Sequence, residues 1–203
     1  MMDHAMFARY PLPATDGATA LDTACDLQLL QAHSVPGRPL TLLYLGPERT
    51  LIVPVDPVGA APHGAAITLA LGTHKTARAF FRRDIPTPLE LENAIASVED
   101  EVYLAHRQYA AQGNARGRAW WSTDAHLVAL AELAGLPRAP AMLLTLDAME
   151  RLFQRLAVVS EGRPAASEGL PESVEFATTL LLLRELMHHM PFAELHLVGP
   201  SLG

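Results

Sequence analysis

The chain is poor in cysteine and in charge. Cys25 is its single cysteine, which excludes an intramolecular disulfide and a cysteine-rich metal centre. It lies in an apolar stretch and reads as inert core. Charged residues make up 18% of the 203 positions, below the usual quarter, and hydrophobic residues make up 50%. That balance describes a well-buried globular chain and excludes extensive disorder. A net charge of −7 leaves no broad basic face, so nucleic acid is not an expected partner. The first residues lack a basic segment followed by an apolar run, so no secretory signal is expected. The longest apolar run, residues 176–183, falls well short of the about 20 residues needed to span a bilayer. The expectation is a cytoplasmic protein with no membrane partner.

What is present centres on residues 41–56, TLLYLGPERTLIVPVD. Leu42, Leu43, Tyr44 and Leu45 form one strand-like arm. Leu51, Ile52, Val53 and Val55 form the other, and Gly46 and Pro47 punctuate them as a tight turn. Upstream, residues 1–18 read as a lead-in and residues 21–32 as a short helix. Residues 66–71 read as a third strand. Thr87, Pro88 and Glu90 form a capping box that opens a helix running to about residue 106. Residues 118–122 read as a short strand, and Asp124 caps a helix ended by Gly135. Thr145 opens another helix. Residues 172–190 form a long helix that is apolar on nearly every side, as suits a deeply packed element. Residues 194–198 close as a strand. Three strands followed by alternating helices and strands predict a single α/β domain of the ribonuclease-H-like, actin-like ATPase class, with a mixed sheet flanked by helices. The chain divides into a lead-in, 1–40, and this domain, 41–203.

Four stretches carry a resemblance. LLYLGPERTLIV resembles a family motif of the form LDIGGGSTELV. ITLALGTHKTARAFFRRDIPTPLELENAI resembles a strand, a basic segment and a PT-x-x-ELE helix start. LTLDAMERLFQRLAVVSEGRPAASEGLPE resembles a helix and a GLPPER loop. LLLLRELMHHMPFAELHLVGPSLG resembles a last helix, strand and GL turn. In this order they resemble the second domain of the exopolyphosphatase and guanosine-pentaphosphate phosphohydrolase family.

In that family the Gly-rich turn and its acidic flank bind phosphate and metal in a cleft between two domains. The resemblance implies phosphate-binding roles for Gly46 and Thr50, which match the motif, and for Lys75, near a basic family position. The departures are larger. Tyr44 replaces the aspartate, Leu51 the glutamate, Pro47 and Glu48 two glycines, and Arg49 the serine. Proline has no N–H to offer a phosphate, and Glu48 adds negative charge. A second Gly-rich family turn corresponds to Trp120–His126 without its glycines. No counterpart of the family's first domain, with its catalytic glutamate, is expected in the about forty residues before the hairpin. The resemblance thus implies the fold and argues against the activity. No catalytic residue and no cofactor is assigned.

The expected function is an exopolyphosphatase-related protein that is non-catalytic and acts by binding a phosphate-containing small ligand or a protein, most simply a second copy of itself. The hairpin positions Tyr44, Pro47 and Leu51 are the expected dimer patch. The alternative is a phosphohydrolase acting on polyphosphate or a nucleotide phosphate, with magnesium and a site completed across a dimer. Other candidates each carry a plainer reading. Glu185, His189 and His196 could hold a metal, or the paired histidines His188 and His189 could simply suit a helix C-terminus. Lys75, Arg78, Arg82 and Arg83 could meet an anion, or form a solvated face paired with Asp84 or Glu90. Trp120 and Trp121 point to opposite sides of a strand, one as core and the other as exposed pocket wall or interface. Ser122 or Thr123 beside His126 could serve as a nucleophile.

Overall fold

The hairpin forms in the register that its apolar arms dictate. β1 (Leu40–Leu45) and β2 (Thr50–Val55) are antiparallel, with Leu45 opposite Thr50 and Leu40 opposite Val55. The computed structural model describes residues 30, 33–35, 37–55, 65–114 and 117–198. The expected helix over 21–32 (Leu30 apart), Cys25 and the loop at 57–64 lie outside the described residues. β3 (Ile67–Leu69) extends the hairpin, antiparallel to β2. The chain then alternates: helix α1 (Thr73–Phe80), helix α2 (Pro88–Ala111), strand β4 (Ala119–Ser122), helix α3 (Ala125–Leu133), strand β5 (Ala141–Thr145), helix α4 (Leu146–Ser160), a 3-10 turn (Ala165–Glu168), helix α5 (Val174–His189) and strand β6 (Glu194–Val198).

The described strands make one six-stranded sheet in the order β3-β2-β1-β4-β6-β5. β4 is parallel to β1 and β6 to β4, whereas β5 is antiparallel to β6. A mixed sheet flanked by helices, led by an antiparallel three-strand unit, is the ribonuclease-H-like, actin-like architecture.

Strand alternation sorts the core into two parts. Leu43, Leu45, Ile52, Trp120, Leu195 and Leu197 face the layer of α1 to α5. Leu42, Val53, Val55, Trp121 and Val198 bury the opposite face together with Leu30. α5 is central to the helix layer: every residue from Phe176 to Leu183 is buried. Its cap is Ser173, whose hydroxyl accepts the Phe176 N–H at 3.3 Å. α2 begins with the expected capping box between Thr87 and Glu90 and extends five residues past the expected end, because Val102, Ala105 and Tyr109 continue its buried stripe. The Tyr109 hydroxyl meets Thr41 Oγ1 at 2.6 Å, tying α2 to β1 inside the core.

The expectation of an exposed second tryptophan is corrected. Trp121 is buried on the second face and stacks on His196, with centroids 4.3 Å apart. Trp120 stacks on Phe192 at 4.1 Å in the main core. No helix among the described residues is long and apolar enough to cross a membrane.

Candidate functional site

The hairpin turn sits directly on the N-terminus of α1. The Gly46 carbonyl accepts the Thr73 N–H at 3.0 Å, and the Pro47 carbonyl accepts the N–H groups of His74 and Lys75 at 2.9 and 3.0 Å. A helix N-terminus leaves its first N–H groups without intrahelical partners, and these are the groups that bind anions. Here the first three are spent on protein carbonyls. The approach is close because α1 is preceded by Gly72, packed against the backbone of Pro47 and Glu48.

The three residues assigned to phosphate by resemblance do gather here, but their backbone N–H groups or hydroxyl are already engaged, leaving the Lys75 side chain. Gly46 donates its N–H to the Arg49 carbonyl at 3.1 Å. Thr50 is fully buried and donates its hydroxyl to the Leu71 carbonyl at 2.9 Å. Lys75 keeps an exposed side chain, and its N–H is bound to Pro47. Glu48 pairs with Arg78 at 2.8 Å. The backbone N–H of Arg82 donates to Glu90 at 3.1 Å. Tyr44 and Leu51 are cross-strand partners and, like Pro47, half-buried. The large apolar side chains most exposed among the described residues are elsewhere: Val35, Leu89, Tyr103, Leu104 and Leu143.

At the C-terminal ends of parallel β1 and β4, the starts of α1, α3 and α5 converge. Asp124 caps α3 by accepting the His126 N–H at 2.9 Å, and its own N–H donates to Ser122 Oγ at 3.1 Å. Burial pushes the Asp124 carboxyl up to about 6, opposed by N–H groups of His126, Leu45 and Leu127. Its bond to Leu45 joins the β4–α3 turn to the end of β1. His126 is buried, with Nδ1 3.9 Å from Glu175 Oε1. His74 Nε2 stands 4.0 Å from the same oxygen. Burial draws the His126 imidazole below its ordinary value; Glu175 opposes that shift and His74 adds to it. The cluster thus brings the imidazoles of His126 and His74 to one carboxylate, that of Glu175, beside the Asp124 cap. Ser122 is buried to 1% exposure with its Oγ accepting from Asp124, which removes it as a nucleophile open to substrate. Sequence reasoning missed Glu175 and His74, because only the packing of α1 and α5 against α3 brings them to His126.

The expected trio of Glu185, His189 and His196 is split. Leu195 and Leu197 face the helices, so alternation turns His196 to the other side of the sheet, onto Trp121. Glu99 of α2 takes its place: His189 Nε2 lies 3.5 Å from Glu99 Oε1 and 3.5 Å from Glu185 Oε2. Glu185 is 1% exposed; burial raises its carboxyl, and Arg184 opposes this from 2.5 Å. His188 turns instead to Glu150, which also pairs with Arg184.

The same architecture occurs in solved phosphatase structures. The chain has the fold of a Ppx/GppA phosphatase of Aquifex aeolicus, with a TM-score of 0.64 at 15% identity over 91% of this chain and 60% of that one. The type II variant from the same organism also gives a TM-score of 0.64 at 15% identity, over 86% and 57%. An exopolyphosphatase from Cytophaga hutchinsonii gives a TM-score of 0.62 at 12% identity, over 86% and 58%. The chain therefore spans a little over half the length of these proteins. No protein-family profile matches it, and no curated protein sequence matches it.

Proposed function

We propose that this is an exopolyphosphatase-related protein that does not hydrolyse phosphate esters or anhydrides and acts by binding a protein partner, most simply a second copy of itself. The observation that carries the reading is the closed hairpin turn: the N–H groups of Thr73, His74 and Lys75 are bound to the carbonyls of Gly46 and Pro47. Transition-state stabilisation of phosphoryl transfer depends on such donors aimed at the transferring oxygens. A magnesium ion does not fit this turn either. Tyr44 and Leu51 stand where the related motif has carboxylates, and Glu48, which stands in place of a glycine, is paired with Arg78. A phosphate-containing ligand here would rely on exposed side chains such as Lys75.

The second reading, a phosphohydrolase with a site completed across a dimer, is favoured by one observation: Asp124, titrating at about 6, stands near a His126–Glu175–His74 cluster. Phosphate release from polyphosphate and from nucleoside triphosphates, measured with magnesium, separates the two. We expect none above the buffer rate. Turnover that scales with protein and is lost in Asp124→Asn establishes the hydrolase instead.

A further inference from the structure

We propose that Glu99, Glu185 and His189 form a binding site for a divalent transition metal of the zinc class. The donor set is two carboxylates and one imidazole, drawn from two helices. Glu185 and His189 are one turn apart on α5, the spacing that puts two side chains on the same helix face. Glu99 reaches them from the adjoining α2. One ligand atom from each residue lies within 4.8 Å of the other two.

The spacing fits coordination better than direct pairing. Both carboxylate oxygens stand 3.5 Å from His189 Nε2, outside the 2.7–3.2 Å range of ordinary hydrogen bonds. A tetrahedral zinc with bonds of 2.0–2.2 Å separates its ligand atoms by about 3.3–3.6 Å. The two separations from His189 therefore match those of ligands on one metal, and the two carboxylate oxygens lie within 4.8 Å of each other.

The surroundings fit as well. Glu185 is 1% exposed, and a carboxylate removed from water requires a cation. Arg184 supplies one to Oε1, leaving Oε2 toward His189. A ligating carboxylate held by a hydrogen bond through its other oxygen is the usual outer-shell support of a metal site. Glu99 is nearly half exposed, at 47% of its side chain. Solvent can therefore reach the set and supply a fourth ligand. An imidazole in the set favours zinc, cobalt or nickel over magnesium and calcium, which prefer all-oxygen shells.

The site is independent of the hairpin. Fourteen residues of α5 separate Glu175 from His189, about 21 Å along the axis at 1.5 Å per residue.

The test uses the full chain, stripped with a chelator and titrated with Zn²⁺ or Co²⁺ by calorimetry, with the visible d–d bands of the Co²⁺ complex as a second readout. The expected result is equimolar binding with Co²⁺ bands of low coordination number. Glu99→Gln and His189→Ala should each weaken affinity by at least about tenfold. His188→Ala, which removes the partner of Glu150 and a ring beside His189 but no proposed ligand, should keep it. Glu185→Gln bears on folding because its site is buried, so the exposed Glu99→Gln carries the argument, with circular dichroism confirming that it is folded. Failure of the wild type to bind either metal overturns the proposal. So does binding that is unchanged in both Glu99→Gln and His189→Ala.

Discussion

A β-carbon on Gly72 would stand 2.4 Å from the carbonyl oxygen of Pro47 and equally close to the backbone carbon of Glu48. The backbone of Gly72 is extended, at φ −150°, so any residue could adopt its conformation. What requires glycine is the contact. The hairpin closes onto α1 because nothing larger than hydrogen stands between them. Gly72→Ala should therefore cost about 3 kcal/mol by overpacking against backbone that cannot rotate away. Gly135→Ala meets no neighbouring atom and bears only its left-handed φ of 94°, a loss nearer 1 kcal/mol. Denaturant melts of the two variants compare crowding with dihedral preference; equal losses would contradict the packing account.

Leu181→Asp should destabilise the fold by about 3 kcal/mol or more. Leu181 is fully buried at the centre of α5, where a carboxylate has no partner. A melting temperature equal to the parent's would place Leu181 at the surface.

Asp124 sets a pH dependence. Its carboxyl titrates at about 6 in the folded chain against 3.8 ordinarily, so between those values the folded state binds more protons than the unfolded one. Its contribution is neutral below about pH 4, becomes unfavourable as pH rises from about 4 to 6, and levels off above 6 at about 3 kcal/mol as an upper figure. Asp124→Asn removes the titration. Its stability, measured against the parent from pH 4 to 7, should gain on it between pH 4 and about 6 and hold that lead above 6. A constant difference would show that Asp124 does not titrate there.

Light scattering at micromolar concentration should give a mass near twice 21.9 kDa, since a second copy is the simplest partner for a protein that acts by binding. A mass of 21.9 kDa throughout would leave a different protein as the partner.

The parts of the fold legible in the sequence are those with local signals. Apolar runs on either side of Gly46 and Pro47 marked β1 and β2. Thr87 with Glu90, Asp124 and Thr145 marked three helix starts, and each of those side chains does accept a capping hydrogen bond. α1 was not legible as a helix, because Lys75, Arg78, Arg82 and Arg83 read as a basic run and its cap is a glycine without a side chain. β5 was hidden between Pro137, Pro140 and the cap of α4; its alternation is short and Leu143 is left exposed on an edge. The site was legible only in part. Glu185 and His189 are neighbours by helical spacing, but Glu99 and Glu175 reach their clusters only through helix packing, which no local pattern encodes.

β6, the last strand among the described residues, lies between β4 and β5, both of which precede it. During synthesis β5 therefore emerges with no neighbour of its own, and β4 waits with one edge open, until residues 194–198 leave the ribosome. Until then Trp121 lacks its stacking partner His196, and the edges that β4 and β5 turn toward β6 are unpaired, the kind of edge that can pair with other strands. Completion is a single late insertion, and the hydrogen bonds of two earlier strands are made at once when it occurs.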